Sequence, residues 1–467
     1  MLRRGETICA PATGRGGAIA VIRMSGPESI AICSKIFNPA DGKISLSDQK
    51  GYSVVFGEIH NEKEIVDEVL VTVFKSPHSY TGEDSVEISC HASGFIQTSI
   101  LELLIRYGAF PALPGEFTQR AFLNGKMDLS QAEAVADLVA SSSAASHRLA
   151  INQMRGGFSK EILVLRQELL HFASLIELEL DFGEEDVEFA DRKELLQIVR
   201  RVKSISEKLA SSFRIGNAIK NGIPVAIIGK PNSGKSTLLN ALLMEERALV
   251  SEIPGTTRDV IEDTIVIDGI EYRFIDTAGL RETADVIENM GIRKTHEKID
   301  QASVVLLVDE VNDTPASINK RIDNIRKVIK SSGKKMIITI NKSDLSTDND
   351  IDTLRKAIKT KPGETLLFIS AKGKNGINEL KNILGQIVEK ERLRSDDVII
   401  TNIRHYEALS HITDSLVRVE EGLSSGIPED LVAIDIRQAI HYLGEITGEI
   451  TNDEILGNIF KNFCIGK

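Results

Sequence analysis

The sequence predicts a multidomain protein of mixed α/β and α+β class. An N-terminal α+β domain precedes a helical domain, and a doubly wound P-loop α/β domain is inserted into the helices. Three observations carry that prediction. The apolar run Val225-Ala226-Ile227-Ile228 leads into a glycine-bounded loop, Gly229 to Ser236, and then into the apolar helical pattern Leu238 to Leu243. Long stretches of helical period flank that unit on both sides. The N-terminal part shows short apolar runs separated by turn residues instead.

Taken in order, Gly17–Arg23, Val69–Phe74 and Asp84–Ile88 read as strands. Gly14, Gly16 and Gly17 lack the spacing of a dinucleotide fingerprint and read as a turn. Beyond them, Ile162, Leu165, Leu169, Phe172, Ile176 and Leu180 make one helical stripe, and Leu195, Ile198, Val202, Ile205 and Leu209 another. The acidic stretch from Asp181 to Asp191 between them reads as a solvated connector. Helical period returns with Leu409, Ile412, Leu416, Val419 and Leu423, then Leu431, Ile434, Ile440, Leu443 and Ile446. One helical domain interrupted by an inserted module explains both halves, since the ends of such a module lie close together. Separate bundles are the alternative. The expected boundaries are 1–122, 123–217, 218–389 and 390–467.

Gly229 to Ser236 fits G-x-x-x-x-G-K-[ST]. Such a loop wraps a phosphate chain with successive backbone N–H groups and a helix N-terminus, here through Asn232, Ser233, Gly234 and Thr237. Lys235 reaches the outer phosphates, and the Ser236 hydroxyl is a Mg²⁺ ligand. Three further motifs each follow a predicted strand. Asp276-Thr277-Ala278-Gly279 places a carboxylate for water-mediated Mg²⁺ binding and a free N–H for a γ-phosphate. Asn341-Lys342-Ser343-Asp344 offers a carboxylate that accepts two N–H bonds from a guanine edge, which adenine cannot supply. Ser370-Ala371-Lys372 suits backbone contact to the guanine oxygen. The four together imply GTP.

Between the first two motifs, Gly255-Thr256-Thr257-Arg258-Asp259 stands where a switch loop brings a Thr hydroxyl and carbonyl to Mg²⁺ and the γ-phosphate. Thr257 is the expected Mg²⁺ ligand, with Ser251 and Thr256 near the nucleotide. These features resemble the translation-factor-related class of small GTPases. Leu280, however, stands where a water-orienting Gln would be, so hydrolysis must be organised by something else.

Composition narrows the remaining choices. The chain has 467 residues, of which 27% are charged and 42% apolar, as in a soluble protein. No apolar run reaches membrane-spanning length, and no signal core opens the chain. Cys9, Cys33, Cys90 and Cys464 lack zinc-type spacing, so reduced thiols and a cytoplasmic location are expected. A net charge of −12 gives no global nucleic-acid footprint, which leaves a local RNA contact open.

Further motifs flank the nucleotide-binding set: Ala12-Thr13-Gly14-Arg15-Gly16-Gly17, Tyr80-Thr81-Gly82-Glu83-Asp84, the run from Pro114 to Lys126, and the closing Phe463-Cys464-Ile465-Gly466-Lys467. In this order the chain resembles the MnmE (TrmE) family of tRNA modification GTPases along nearly its whole length. The resemblance implies an N-terminal domain that binds tetrahydrofolate (as a 5-formyl or 5,10-methylene derivative) and dimerises. It further implies a homodimer working with the FAD-dependent protein MnmG (GidA). Together they place a carboxymethylaminomethyl-type group on C5 of the wobble uridine of certain tRNAs. The implied folate contacts are Arg23, Glu87, Lys126 and Lys467. The implied catalytic device is a potassium ion held by Asn232 and by oxygens of Ser251, Ile253 and Thr256, with Glu288 orienting the attacking water.

Cys464 is a candidate nucleophile in the tail, with ordinary burial as the alternative. His91 beside Cys90 reads as packing, since no further ligand is spaced nearby. Two other functions compete. A ribosome-assembly switch without RNA-modifying chemistry is disfavoured because no KH-type GXXG unit follows the G domain. A membrane-remodelling GTPase lacks its basic amphipathic segment.

Overall fold

The computed structural model describes residues 5–14, 16–42, 45–61, 64–181, 192–244, 263–275, 299–329, 334–389, 398–425, 427–461 and 463–466. The N-terminal domain contains β1 (Ile8–Pro11), β2 (Ile19–Ser25), α1 (Ser29–Ile36), β3 (Phe37–Pro39), β4 (Ser53–His60), β5 (Ile65–Phe74), β6 (Ser85–His91), α2 (Gly94–Arg106) and β7 (Phe110–Pro111). They form one sheet in the order β3-β4-β5-β6-β2-β1-β7. Alternation along β5 turns Val69, Val71 and Val73 inward, where they join residues of α1 and α2 in a core. The strand expected at Gly17–Arg23 starts and ends two residues later, because its ladder with β6 runs from Ile19↔His91 to Ser25↔Ser85. Asp84 stays outside β6: its Oδ1 accepts from the Ser76 N–H, and its carbonyl from Gly26 N–H and the Ser29 hydroxyl.

The chain then turns helical with α3 (Glu116–Leu123), α4 (Leu129–Ala140), α5 (Ala144–Met154), α6 (Gly157–Asp181) and α7 (Arg192–Asn221). The G domain follows as β8 (Ile223–Ile228), α8 (Lys235–Met244), β9 (Asp263–Ile267), β10 (Ile270–Phe274), β11 (Val304–Glu310), α9 (Pro315–Ile329), β12 (Lys335–Asn341), α10 (Asp348–Ala357), β13 (Glu364–Phe368) and α11 (Ile377–Glu389). Its sheet runs β13-β12-β11-β8-β10-β9, parallel except for the edge strand β9. The helices resume with α12 (Ile403–Ser425), α13 (Glu429–Thr447) and α14 (Asp453–Phe460). α7 runs on to Asn221, past the expected boundary at 217, and β8 begins almost at once.

Residues of α6, α7, α12 and α13 share a single core, so the two halves are one domain around an insertion. In α6 the expected stripe is buried from Ile162 to Ile176. In α7 the buried line is Leu195, Val199, Val202, Ser206 and Leu209, with Ile198 and Ile205 on its flank. The stripe expected for α13 needs correction. Leu431 and Ile434 are 51% and 57% exposed, whereas Val432, Ile436, Ala439, Ile440 and Leu443 face the core. The helix is apolar on two faces, and only the line through Val432 and Ile436 continues unbroken to Leu443.

A buried ionic cluster locks the two halves together. Arg404 of α12 forks onto Glu133 of α4 at 3.0 and 2.8 Å and also donates to the carbonyls of Glu445 and Ile446. His405, fully buried, places Nε2 at 2.8 Å from the same carboxylate. Burial alone raises the Glu133 carboxyl, but His405 and Arg404 together hold it down at about 2. Burial depresses the His405 imidazole, with Glu133 opposing. On the G-domain side, the Ala145 N–H at the start of α5 donates to the Gly269 carbonyl at 3.1 Å. A cleft of about 1140 Å³ lies along this seam, lined by Asp137, Lys220 and Glu271 among others. Among the described residues no helix is long and apolar enough to cross a membrane.

Candidate functional site

The phosphate-binding loop leaves the C-terminal end of β8 and enters α8 at Lys235. Gly229 lies against the neighbouring strand so closely that an added Cβ would stand 2.1 Å from the Val308 carbonyl oxygen. Ser233 is wholly buried, and its hydroxyl has no hydrogen-bond partner among the described residues. Lys235 Nζ curls back to donate to the carbonyls of Gly229 and Lys230 at 3.1 and 2.7 Å. A tight turn around an orphaned hydroxyl and an inward-curled ammonium fits a polyphosphate. Ser236, in the first turn of α8, is placed as the loop pattern requires for Mg²⁺.

The guanine loop leaves β12 at Asn341 and is tied to the phosphate loop by side chains. Asn341 Nδ2 donates to the Ser233 carbonyl at 2.9 Å, and its Oδ1 accepts from the Ala371 N–H at 3.0 Å. One amide therefore joins all three described motifs. Lys342 Nζ donates to the Asn232 carbonyl at 2.9 Å. The Ser370 hydroxyl donates to Asp344 Oδ1 at 2.5 Å, which ties that carboxylate to the loop after β13. Gly234, Thr237 and Lys372 flank the same loops. Ser251, Ile253, Thr256, Thr257, Asp276, Thr277, Ala278, Gly279 and Glu288 lie outside the described residues.

The second cluster sits on the open face of the N-terminal sheet. Arg23 of β2 and Glu87 of β6 are direct cross-strand partners. Arg23 Nε donates to Glu87 Oε1 at 2.8 Å, and its second nitrogen reaches that same oxygen at 2.8 Å. Both contacts fall on Oε1, and both side chains stay about a quarter exposed, at 22% and 27%. Neither Arg23 contact uses Glu87 Oε2. The Arg23 guanidinium lies 5.4 Å from the Tyr80 ring centre and 5.8 Å from that of Phe117. Burial pushes the Tyr80 phenol up, opposed by its bond to Thr118 and by Arg23.

The end of the chain docks at this pair. Arg23 donates to the Gly466 carbonyl at 3.3 Å, and the Gly115 N–H donates to the Cys464 carbonyl at 3.3 Å. Gly466, at φ 95°, lies so close to β1 that a Cβ would stand 2.0 Å from the Pro11 oxygen. Behind it, Leu456 and Phe460 of α14 pack on Leu129 and Ala132 of α4. The Cys464 side chain is exposed, and Lys467 lies outside the described residues.

Lys126 is held on the Pro77–Asp84 loop. Its Nζ donates to the Pro77 carbonyl at 2.9 Å, and its stem packs on Gly82 while Tyr80 of the same loop faces Arg23. His91 is a surface partner of Asp67, with Nδ1 at 2.7 Å from Oδ1. Among the described residues no group of His, Cys, Asp and Glu could hold a metal ion. Sequence reasoning missed Phe117, Glu310 and Asp313. Phe117 lay within a motif already singled out; the two carboxylates carry no pattern.

Comparison with known proteins agrees with this geometry. A family model of the MnmE helical domain matches residues 129–464, and one of the GTP-binding protein TrmE N-terminus matches residues 7–126. A Bacteroides thetaiotaomicron protein described as tRNA modification GTPase MnmE is 54% identical, with 99% of each chain covered. A Flavobacterium psychrophilum protein of the same description is also 54% identical over 99% of both chains. The chain belongs to the MnmE (TrmE) family of GTP-hydrolysing enzymes.

Proposed function

We propose that this GTPase is potassium-dependent and acts with an FAD-dependent partner of the MnmG (GidA) type on the wobble uridine of certain tRNAs. The pair installs a carboxymethylaminomethyl-type group at C5. The observation that carries the reading is the docked tail: the Gly466 carbonyl on Arg23 puts the Cys464 segment beside the Arg23–Glu87 pair.

In this reading Lys235 meets the outer phosphates, Asp344 reads guanine, and Ser236 and Thr257 hold Mg²⁺. Glu288 orients the water that attacks the γ-phosphorus. Leu280 cannot do so, because an aliphatic side chain neither accepts nor donates a proton. Asn232, Ser251, Ile253 and Thr256 would hold a potassium ion, whose positive charge offsets what develops on the γ-phosphoryl oxygens. Of these four, Asn232 lies among the described residues, and its exposed side chain at the loop rim suits that role.

At the second site, Glu87 Oε2 accepts from a pterin edge, and the Arg23–Tyr80 wall orients the ring. A tetrahydrofolate bound there supplies the one-carbon unit. Lys467 remains a candidate for the glutamate tail. Lys126, held at the Pro77 carbonyl, remains a candidate for the folate as well. Val54, Thr72, Glu87 and Arg23 form one cross-strand row, and the next row exposes Phe56 and Leu70. This apolar face, continuous with Glu87, supports homodimerisation through the N-terminal domain.

The decisive measurement is mass spectrometry of tRNA nucleosides from cells lacking the gene; an unchanged wobble uridine would remove the reading. GTP turnover should be faster in potassium than in sodium, and Asn232→Ala should lose that difference while still binding nucleotide. Titration of 5-formyltetrahydrofolate by calorimetry should show binding that Glu87→Ala weakens by about tenfold or more, the scale of a lost charged hydrogen bond. No folate binding by either protein would favour an assembly switch.

A further inference from the structure

Two carboxylates stand between the nucleotide loops without belonging to any of the motifs. Glu310 closes β11, and Asp313 lies in the turn before α9. Lys230, of the phosphate loop, has Nζ 2.7 Å from Asp313 Oδ1 and 3.5 Å from Glu310 Oε2. Lys342, of the guanine loop, has Nζ 2.9 Å from the other oxygen, Glu310 Oε1. Glu310 therefore has one oxygen on each loop. Asp313 is itself fixed by Arg321, which also reaches the buried Asp309 at 2.7 Å.

We propose that Glu310 is a positioning residue for the nucleotide site, setting the spacing of the two loops by holding Lys342 against the Asn232 carbonyl. Both ends of that contact sit in left-handed backbone, with φ 63° at Asn232 and φ 63° at Lys342. Asn adopts this conformation readily, but Lys does so only where its surroundings hold it. The Lys342 side chain is about one-third exposed, while that of Glu310 is only 13% exposed. The anchor is thus the sheltered partner, and the cation would otherwise turn to solvent. Removing the Glu310 carboxylate leaves Lys230 paired with Asp313 but takes from Lys342 the carboxylate that holds it. Lys342 then departs, and with it one of the struts that keeps Asp344 at a fixed distance from the phosphate loop.

A purely electrostatic role makes the opposite prediction. A carboxylate beside a polyphosphate site repels the ligand, so deleting the charge would tighten binding. The two roles differ in sign. The inference rests on guanine nucleotide binding at these loops, which the wild-type protein tests directly in the same assay.

The experiment is release of a fluorescent GDP from the full-length protein and from Glu310→Gln, Glu310→Asp, Lys342→Met and the double variant Glu310→Gln/Lys342→Met. Glu310→Gln should release nucleotide about tenfold faster, as expected when one charged contact is lost. Glu310→Asp keeps the charge but is one methylene too short to span both lysines, so it too should release faster. The double variant should release no faster than Lys342→Met alone, because Glu310 acts through that lysine. Slower release from Glu310→Gln, wild-type release from Glu310→Asp, or multiplied effects in the double variant would each overturn the proposal. Failure of the wild type to bind GDP would strike instead at the nucleotide reading beneath it.

Discussion

The nucleotide site and the Arg23–Glu87 site are assembled in opposite ways. In the first, every loop is a contiguous motif leaving the C-terminal end of a parallel strand, and short struts such as Asn341 to Ser233 join the loops. In the second, Arg23 meets a side chain 64 positions away and a carbonyl 443 positions away. The first depends on local backbone shape, because β8, β11 and β12 deliver the loops side by side. The second exists only if the N-terminal sheet, α4, α14 and the tail are all in place. Local changes should therefore abolish the first outright, whereas the second should be open to attack from a distance.

The largest effect expected under that contrast is Gly229→Ala. The new methyl would stand 2.1 Å from the Val308 carbonyl, a backbone atom that cannot swing aside. The loop must open, and nucleotide affinity should fall by about a thousandfold, the loss of several oriented N–H contacts to phosphate. Folate binding should be unchanged. Equal losses at both sites, measured by calorimetry, would break the contrast. Gly466→Val comes next. Its side chain would collide with the Pro11 oxygen at 2.0 Å and favours the wrong backbone region, so the tail should leave Arg23. GTP turnover should stay within about twofold of wild type, the scatter expected for a distant independent site. Modification of tRNA should be lost. Surviving modification would show that the tail is not part of the second site.

The same contrast explains what was legible in the sequence. The phosphate and guanine loops were readable because a fixed spacing of Gly, Lys, Asn and Asp follows from the shape of a nucleotide. The Gly466 contact was not: a glycine near a chain end has no pattern that names Pro11 as its neighbour. Glu310 escaped for a related reason, since one carboxylate at a strand end is ordinary until both lysines are seen beside it. The α13 stripe shows the limit of period alone. Apolar residues on two faces of one helix left Leu431 and Val432 equally eligible, and packing chose Val432. Lys126 was named for the second site by resemblance alone, and its contact with the Pro77 carbonyl had no pattern to announce it.

The smallest effect sharpens the comparison from the side of stability. Glu133, Arg404 and His405 join α4 to α12, and α4 in turn carries α14 and the tail. Glu133 is held at about 2 against an ordinary carboxyl value of 4.5. A depressed carboxyl contributes stability above its unfolded value, and that contribution is lost as pH falls through the folded value. The helical domain should therefore lose this contribution between about pH 4.5 and about pH 2. Glu133→Gln keeps the shape but drops the charge, leaving Arg404 without its carboxylate; destabilisation at neutral pH should be about 2–3 kcal/mol. The variant should also show a flatter decline through the acid window, because the group that titrates is gone. Tail docking should loosen with it, seen as faster hydrogen exchange of the Gly115 N–H that donates to the Cys464 carbonyl, while nucleotide affinity holds. An acid profile identical to wild type would mean that other carboxylates govern acid unfolding. Loss of nucleotide affinity in step with tail release would mean that the two sites are not built independently.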